Sequence, residues 1–103
     1  MRAELQRAMA GLDAVVTAAA PGEAPKIDEV PAWDTFAAPS FTMPFNVAGY
    51  PAITVCAGFG AGGLPVAIQL VGKPFAEPTV FRVADAFEKA TPFRDARPSL
   101  VSA

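Results

Sequence analysis

From Phe36 to Gly72 the chain runs for 37 residues without a charged side chain. That length would suffice for a membrane span, since roughly 20 apolar residues cross a bilayer. Here, however, Pro39, Pro44, Pro51 and Pro65 interrupt the run, as do Gly49, Gly58, Gly60, Gly62 and Gly63. No uninterrupted spanning helix survives these breaks, and no membrane partner is expected. What survives is a pair of short apolar runs, PAITVCAGF (51–59) and GLPVAIQLVG (63–72), facing each other across Gly60-Ala61-Gly62. Short runs rich in Val and Ile and bounded by Gly and Pro predict two strands joined by a tight connection. Leu64, Val66, Ile68 and Leu70 lie on one face of the second strand; Pro65, Ala67, Gln69 and Val71 lie on the other. Both faces are mostly apolar, so the pair should be covered on both sides, as at the centre of an α/β sheet.

Either side of the hairpin the pattern is simpler. Leu5, Met9 and Leu12 recur at helical spacing and predict a helix over residues 1–12, with Gly11 as its end. Ala14 to Ala18 reads as a third strand. Residues 19–40 read as loop, with Pro21, Pro25, Pro31 and Pro39 and scattered acids. Loops of this length are uncommon in compact domains unless they line something. Trp33, Phe36 and Phe41 read as capping a core edge rather than as a binding stripe. A second helix is expected from Glu77 to Ala90, with Pro78 in its first turn and Val80, Phe81, Ala84 and Phe87 as its apolar stripe. Thr91-Pro92 ends it, and the tail from Phe93 should lie extended on the surface. The expected fold class is therefore α/β: a small mixed sheet of about three strands, a central hairpin and two helices, in a single domain or domain fragment over 1–103. At 103 residues the core is modest. Yet 52% of the chain is hydrophobic and only 17% charged, against about 25% charged in ordinary soluble domains. Such a chain either self-associates or belongs to something larger.

Composition also removes whole classes of chemistry. There is no histidine, which excludes Ser-His-Asp and Cys-His catalysis together with His-based zinc sites; neither metal nor cofactor is expected. Net charge is -2 with no basic cluster, so nucleic acid is a poor partner. The N-terminus lacks a secretory pattern and one cysteine permits no internal disulfide, which makes a cytoplasmic location the default. Gly58, Gly60 and Gly63 match the G-x-G-x-x-G spacing, but a dinucleotide loop needs a helix to follow, and Leu64 to Ile68 reads as a strand. Cys56 lies within an apolar run with no base in sight and reads as a buried, inert thiol. Gln69, the polar side chain inside the second strand, reads as bonding a neighbouring loop, with a site at the sheet's edge as the alternative. The three serines, Ser40, Ser99 and Ser102, have no Lys or second Ser beside them.

Taken together, FTMPFNVAGYPAITV (41–55) and GLPVAIQLVGKPFAE (63–77) resemble the C-terminal portion of the amidase-signature family, serine hydrolases acting on amide bonds. Thr42, Asn46, Gly49, Pro51 and Ala52 match its pattern, as do Gly63, Leu64, Pro65, Val66 and Gln69. Asp13 to Val16 followed by Ala24-Pro25 resembles the family's strand entering a Pro-rich loop. Cys56 stands where the family usually has Pro, and Ala67 where it usually has Gly. A larger departure concerns the catalytic machinery. The family's Ser–Ser–Lys triad lies on a Gly/Ser-rich signature and an upstream Lys, whereas this chain has no Ser-Ser pair and none of Lys26, Lys73 or Lys89 in the matching context. The resemblance therefore assigns no catalytic residue. It implies architecture, strands and outer helices added to a large mixed sheet. It also implies that the loop entering the Thr–Asn element lines a substrate channel, with Phe36, Pro39, Thr42 and Met43 as candidate lining residues. Asn46, Gly49, Gly63 and Gln69 are expected to be structural, Asn46 in the turn before the strand. The implied partners are the remainder of an amidase or a second copy, with a small amide as substrate only in a full-length context. The alternative is a free-standing, oligomeric interaction module without enzymatic activity.

Overall fold

The computed structural model describes residues 2–31 and 40–98. Helix α1 (Arg2–Ala8) leads into strand β1 (Ala14–Ala18), and a Pro-rich strap with one 3₁₀ turn (Ile27–Glu29) follows. Helix α2 (Met43–Ala48) precedes the hairpin of β2 (Ala52–Phe59) and β3 (Pro65–Gly72). Helix α3 (Glu77–Ala90) and a second 3₁₀ turn (Phe93–Asp95) complete the described chain. The sheet order is β1-β3-β2, so the strand with two apolar faces is the central one. Both pairings are antiparallel, Val15 opposite Val71 on one side and Ile53 opposite Leu70 on the other. The sheet is thus antiparallel rather than mixed among the described residues. A short connection such as Gly60 to Gly63 can join only antiparallel neighbours.

The two faces of β3 are covered by different helices. Val71, wholly buried, packs with Met9, Ala48 and Tyr50, and Leu5, Val15 and Phe45 flank this cluster. On the opposite face Leu70 packs with Val55 and Ala84, flanked by Ile53, Ile68, Val83 and Phe87. The sheet therefore lies between α3 on one side and α1 with α2 on the other. At Gly72 an added Cβ would sit 2.6 Å from Val80 Cγ2, so glycine is what lets α3 lie this close to the central strand.

Helix α2 does not follow from the two-helix expectation, in which Asn46 lies in a turn before the strand. Its start is fixed by Ser40, whose Oγ accepts a hydrogen bond from Met43 N–H at 3.0 Å, with Pro44 in the first turn. Its end is Gly49 at φ 78°, whose N–H donates to Phe45 O, as does that of Tyr50. Both are ordinary helix boundaries, but they enclose only six residues, too few for a helical period to show. The apolar stripe of α3 is also shifted. Val80 and Ala84 are buried and Val83 and Phe87 half-buried, while Phe81 is 64% exposed. Positions 80, 83, 84 and 87 share one face, and 81 lies about 100° round from 80. Helix α1 stops at Ala8; Met9 is buried, but Leu12 is beyond the Gly11 turn (φ 79°) and largely exposed. The start of the tail is a 3₁₀ turn rather than extended chain, and Phe93 meets Phe59 edge to face with ring centroids 6.3 Å apart.

Candidate functional site

Thr17, Gln69 and Thr54 form one row across the sheet, from β1 through β3 to β2. Gln69 is 3% exposed, and a buried amide must find partners. Its Nε2 donates to Thr17 Oγ1 and to the Phe41 carbonyl, both at 2.9 Å. Thr17 Oγ1 in turn donates to Ala18 O at 3.0 Å. The central strand thereby grips the chain just before α2. Of the candidate channel residues, Thr42 is half-buried beside this tether, with its Oγ1 3.4 Å from Ser40 Oγ. Met43 opens α2 and is 60% exposed, and Val47, one turn on, is 68% exposed. Phe36 and Pro39 lie outside the described residues, as do Trp33, Ser99 and Ser102.

The residues expected to be structural fall at distinct places. Gly49 ends α2, and Gly63 (φ 82°) closes the hairpin connection, its N–H donating to Gly60 O. Asn46 lies within α2, exposed, rather than in the turn after it. Its backbone N–H donates to Thr42 O, and its side chain makes no hydrogen bond among the described residues. Gly58, Gly60 and Gly63 sit at a β-bulge and a hairpin, with a strand and not a helix following them.

Among the described residues the arrangement holds no activated nucleophile. Ser40 Oγ is committed to the start of α2, and Cys56, half-buried, points its Sγ toward Gly58 O at 3.6 Å. Neither has a carboxylate or amine partner among the described residues. No group of three or more Cys, Asp or Glu side chains among the described residues is placed to hold a metal ion. None of the described helices is long and apolar enough to cross a membrane.

A concavity lies apart from this tether, at the hairpin end of the sheet. It is a half-open groove of about 570 Å³ lined by Cys56, Phe59, Leu64, Pro65, Phe93 and Arg97. Arg97 Nη1 donates to the carbonyls of Arg94 and Ala96, so its guanidinium braces its own turn. The groove is assembled from residues some thirty positions apart, through a 3₁₀ turn that no periodicity announces.

Comparison with known proteins places this geometry. The family model described as Amidase matches residues 1–81. The glutamyl-tRNA(Gln) amidotransferase subunits A of Bacillus thuringiensis (strain Al Hakam) and Bacillus cereus (strain B4264) are each 51% identical over 59 residues, 57% of this chain and 12% of theirs. The crystal structure of the same subunit from Thermotoga maritima superposes with a TM-score of 0.80 and 40% identity, covering 89% of this chain and 20% of that one. The chain thus spans about a fifth or less of the relatives it matches. On the match of its first 81 residues and on this superposition, the chain belongs to the amidase family.

Proposed function

We propose that this chain is the C-terminal scaffold and substrate-channel segment of an amidase-type hydrolase, which cleaves amide C–N bonds only when the rest of the enzyme supplies the catalytic Ser–Ser–Lys set. The observation that carries this reading is the superposition of nearly the whole chain on a fifth of a larger amidase-family structure. Two physical features support it. The accessible surface is 7473 Å², whereas a compact 10.7 kDa protein exposes about 5,500 Å². The chain thus exposes about 2,000 Å² more than a self-contained globule of its mass would. The Cα radius of gyration, 15.7 Å, likewise exceeds the ~13 Å of a self-contained domain of this length. Within the reading, Thr42 and Met43, with Phe36 and Pro39 before them, form one wall of the channel. Gln69 holds that wall to the sheet. Cytoplasmic residence belongs to the same reading.

The test is the intact mass of the native polypeptide, together with an aryl-amide assay of the 103-residue chain. A native mass well above 10.7 kDa and no turnover by the chain alone are expected. Turnover that vanished in Ser40→Ala or Cys56→Ala would overturn the proposal, because amide cleavage needs an activated nucleophile with a base in reach. A native mass near 10.7 kDa would favour the free-standing, self-associating module.

A further inference from the structure

After β1 the strap loses contact with the sheet quickly. Ala19 N–H donates to Ala67 O at 3.3 Å, and among the described residues the one backbone bond within 24–31 is the local one from Glu29 N–H to Lys26 O. Between these stands Glu23, half-buried in a strap that is otherwise almost wholly exposed. Its carboxylate spans the hairpin connection of a remote part of the chain: Oε2 accepts from Gly62 N–H at 3.2 Å and Oε1 from Leu64 N–H at 2.8 Å. Two backbone N–H groups converging on a carboxylate form a concave anion receptor of the kind successive turn amides provide. Charge-assisted bonds of this type are the stronger ones.

The receptor is cut to fit. A Cβ at Gly60 would run into the Glu23 carboxyl carbon, and one at Gly62 would lie 2.8 Å from Oε2. Neither glycine has a positive φ. Their lack of a side chain is therefore required by the carboxylate and not by the backbone.

We propose that Glu23 is a latch: a carboxylate received by the Gly60–Leu64 turn that holds the Pro-rich strap against the hairpin and can release it without unfolding the sheet. The strap needs such a device, because Pro21, Pro25 and Pro31 cannot donate hydrogen bonds and Ile27 is 94% exposed. The latch does not depend on the amidase reading, since it uses only contacts within the chain.

The test uses the full 103-residue chain. Trypsin cleavage after Lys26, which is exposed in the strap, reports release, and exchange of the Gly62 and Leu64 amides reports loss of the carboxylate. Glu23→Ala should raise both about tenfold, the effect of one net charge-assisted bond. Gly60→Ala, which leaves Glu23 in place but fills its seat, should do the same. The amides of Leu70 and Val71 should keep their protection in both variants. Unchanged cleavage and exchange in either variant would overturn the latch. So would an equal loss of protection at Leu70 and Val71, because the strap would then not be separable from the sheet.

Discussion

Replacing Gln69 tests whether the central strand grips the segment before α2. Gln69→Leu keeps the approximate volume and removes the donors to Thr17 Oγ1 and Phe41 O. A net hydrogen bond contributes about 1 kcal/mol, and a buried group left unpaired costs about 1–3. Phe41 is 40% exposed, so water can partly replace its lost donor, and Thr17 keeps its bond to Ala18 O. The expected loss is therefore about 2 kcal/mol, or about 8–16 °C in Tm for a domain of this size. Gln69→Glu is the sharper variant, because it turns an oxygen toward two acceptors at a position only 3% exposed. Desolvation would raise its carboxyl above the ordinary ~4.3. Between that value and the raised one the folded state binds more protons than the unfolded state, so stability falls as pH rises. Melts at fixed chain concentration should show Gln69→Glu losing stability relative to wild type from pH 4 to pH 7, while Gln69→Leu stays parallel to wild type. A Gln69→Leu protein as stable as wild type, or a Gln69→Glu profile parallel to wild type, would refute the grip.

In sedimentation equilibrium at micromolar concentration the isolated chain should not run as a single 10.7 kDa species. Phe59, Leu64, Val16 and Val47 are 45–68% exposed, and β1 offers an uncharged edge that no strand pairs among the described residues; a clean monomer with a cooperative melt would show that the chain suffices as its own domain. Titration with NAD or ATP should leave the amides of Gly58 to Gly63 unmoved, since a strand follows the turn and Glu23 occupies its donors; a saturable shift at micromolar ligand would show a phosphate loop after all.

Much of this fold is legible in the residues. The β2–β3 hairpin follows from apolar runs divided by Gly60-Ala61-Gly62, and β3's central place follows from its two apolar faces. Helix α2 does not show in the pattern because Met43–Ala48 is shorter than two helical turns, although Ser40, Pro44 and Gly49 mark its ends. The expected α3 stripe is out of phase because Phe81 is apolar yet faces outward, and hydrophobicity alone does not separate an inward Val83 from it. Gln69 was recognisable as a buried polar side chain needing a partner, but not that the partner would be the Phe41 carbonyl, which only tertiary structure brings near. Glu23 gave no sign at all: its receptor lies about forty residues away, and nothing in a lone acid in a Pro-rich loop points there.

The sheet joins contacts of very different span. Phe59 and Pro65 meet across a few residues, and α3 returns onto the strand it has just left, so residues 52–90 can assemble from near neighbours. Strand β1 must instead bring Ala14 to Gly72 across more than half of the chain, closing a loop roughly ten times longer at an extra entropic cost of about 2 kcal/mol. These spans predict that folding starts at the hairpin and α3, and that β1 joins last and leaves first. The order would show in native-state hydrogen exchange as earlier loss of protection in β1 than in β2. A late-joining strand at the sheet's rim is also the place where chain made earlier on the ribosome can wait, unpaired, for the hairpin that receives it.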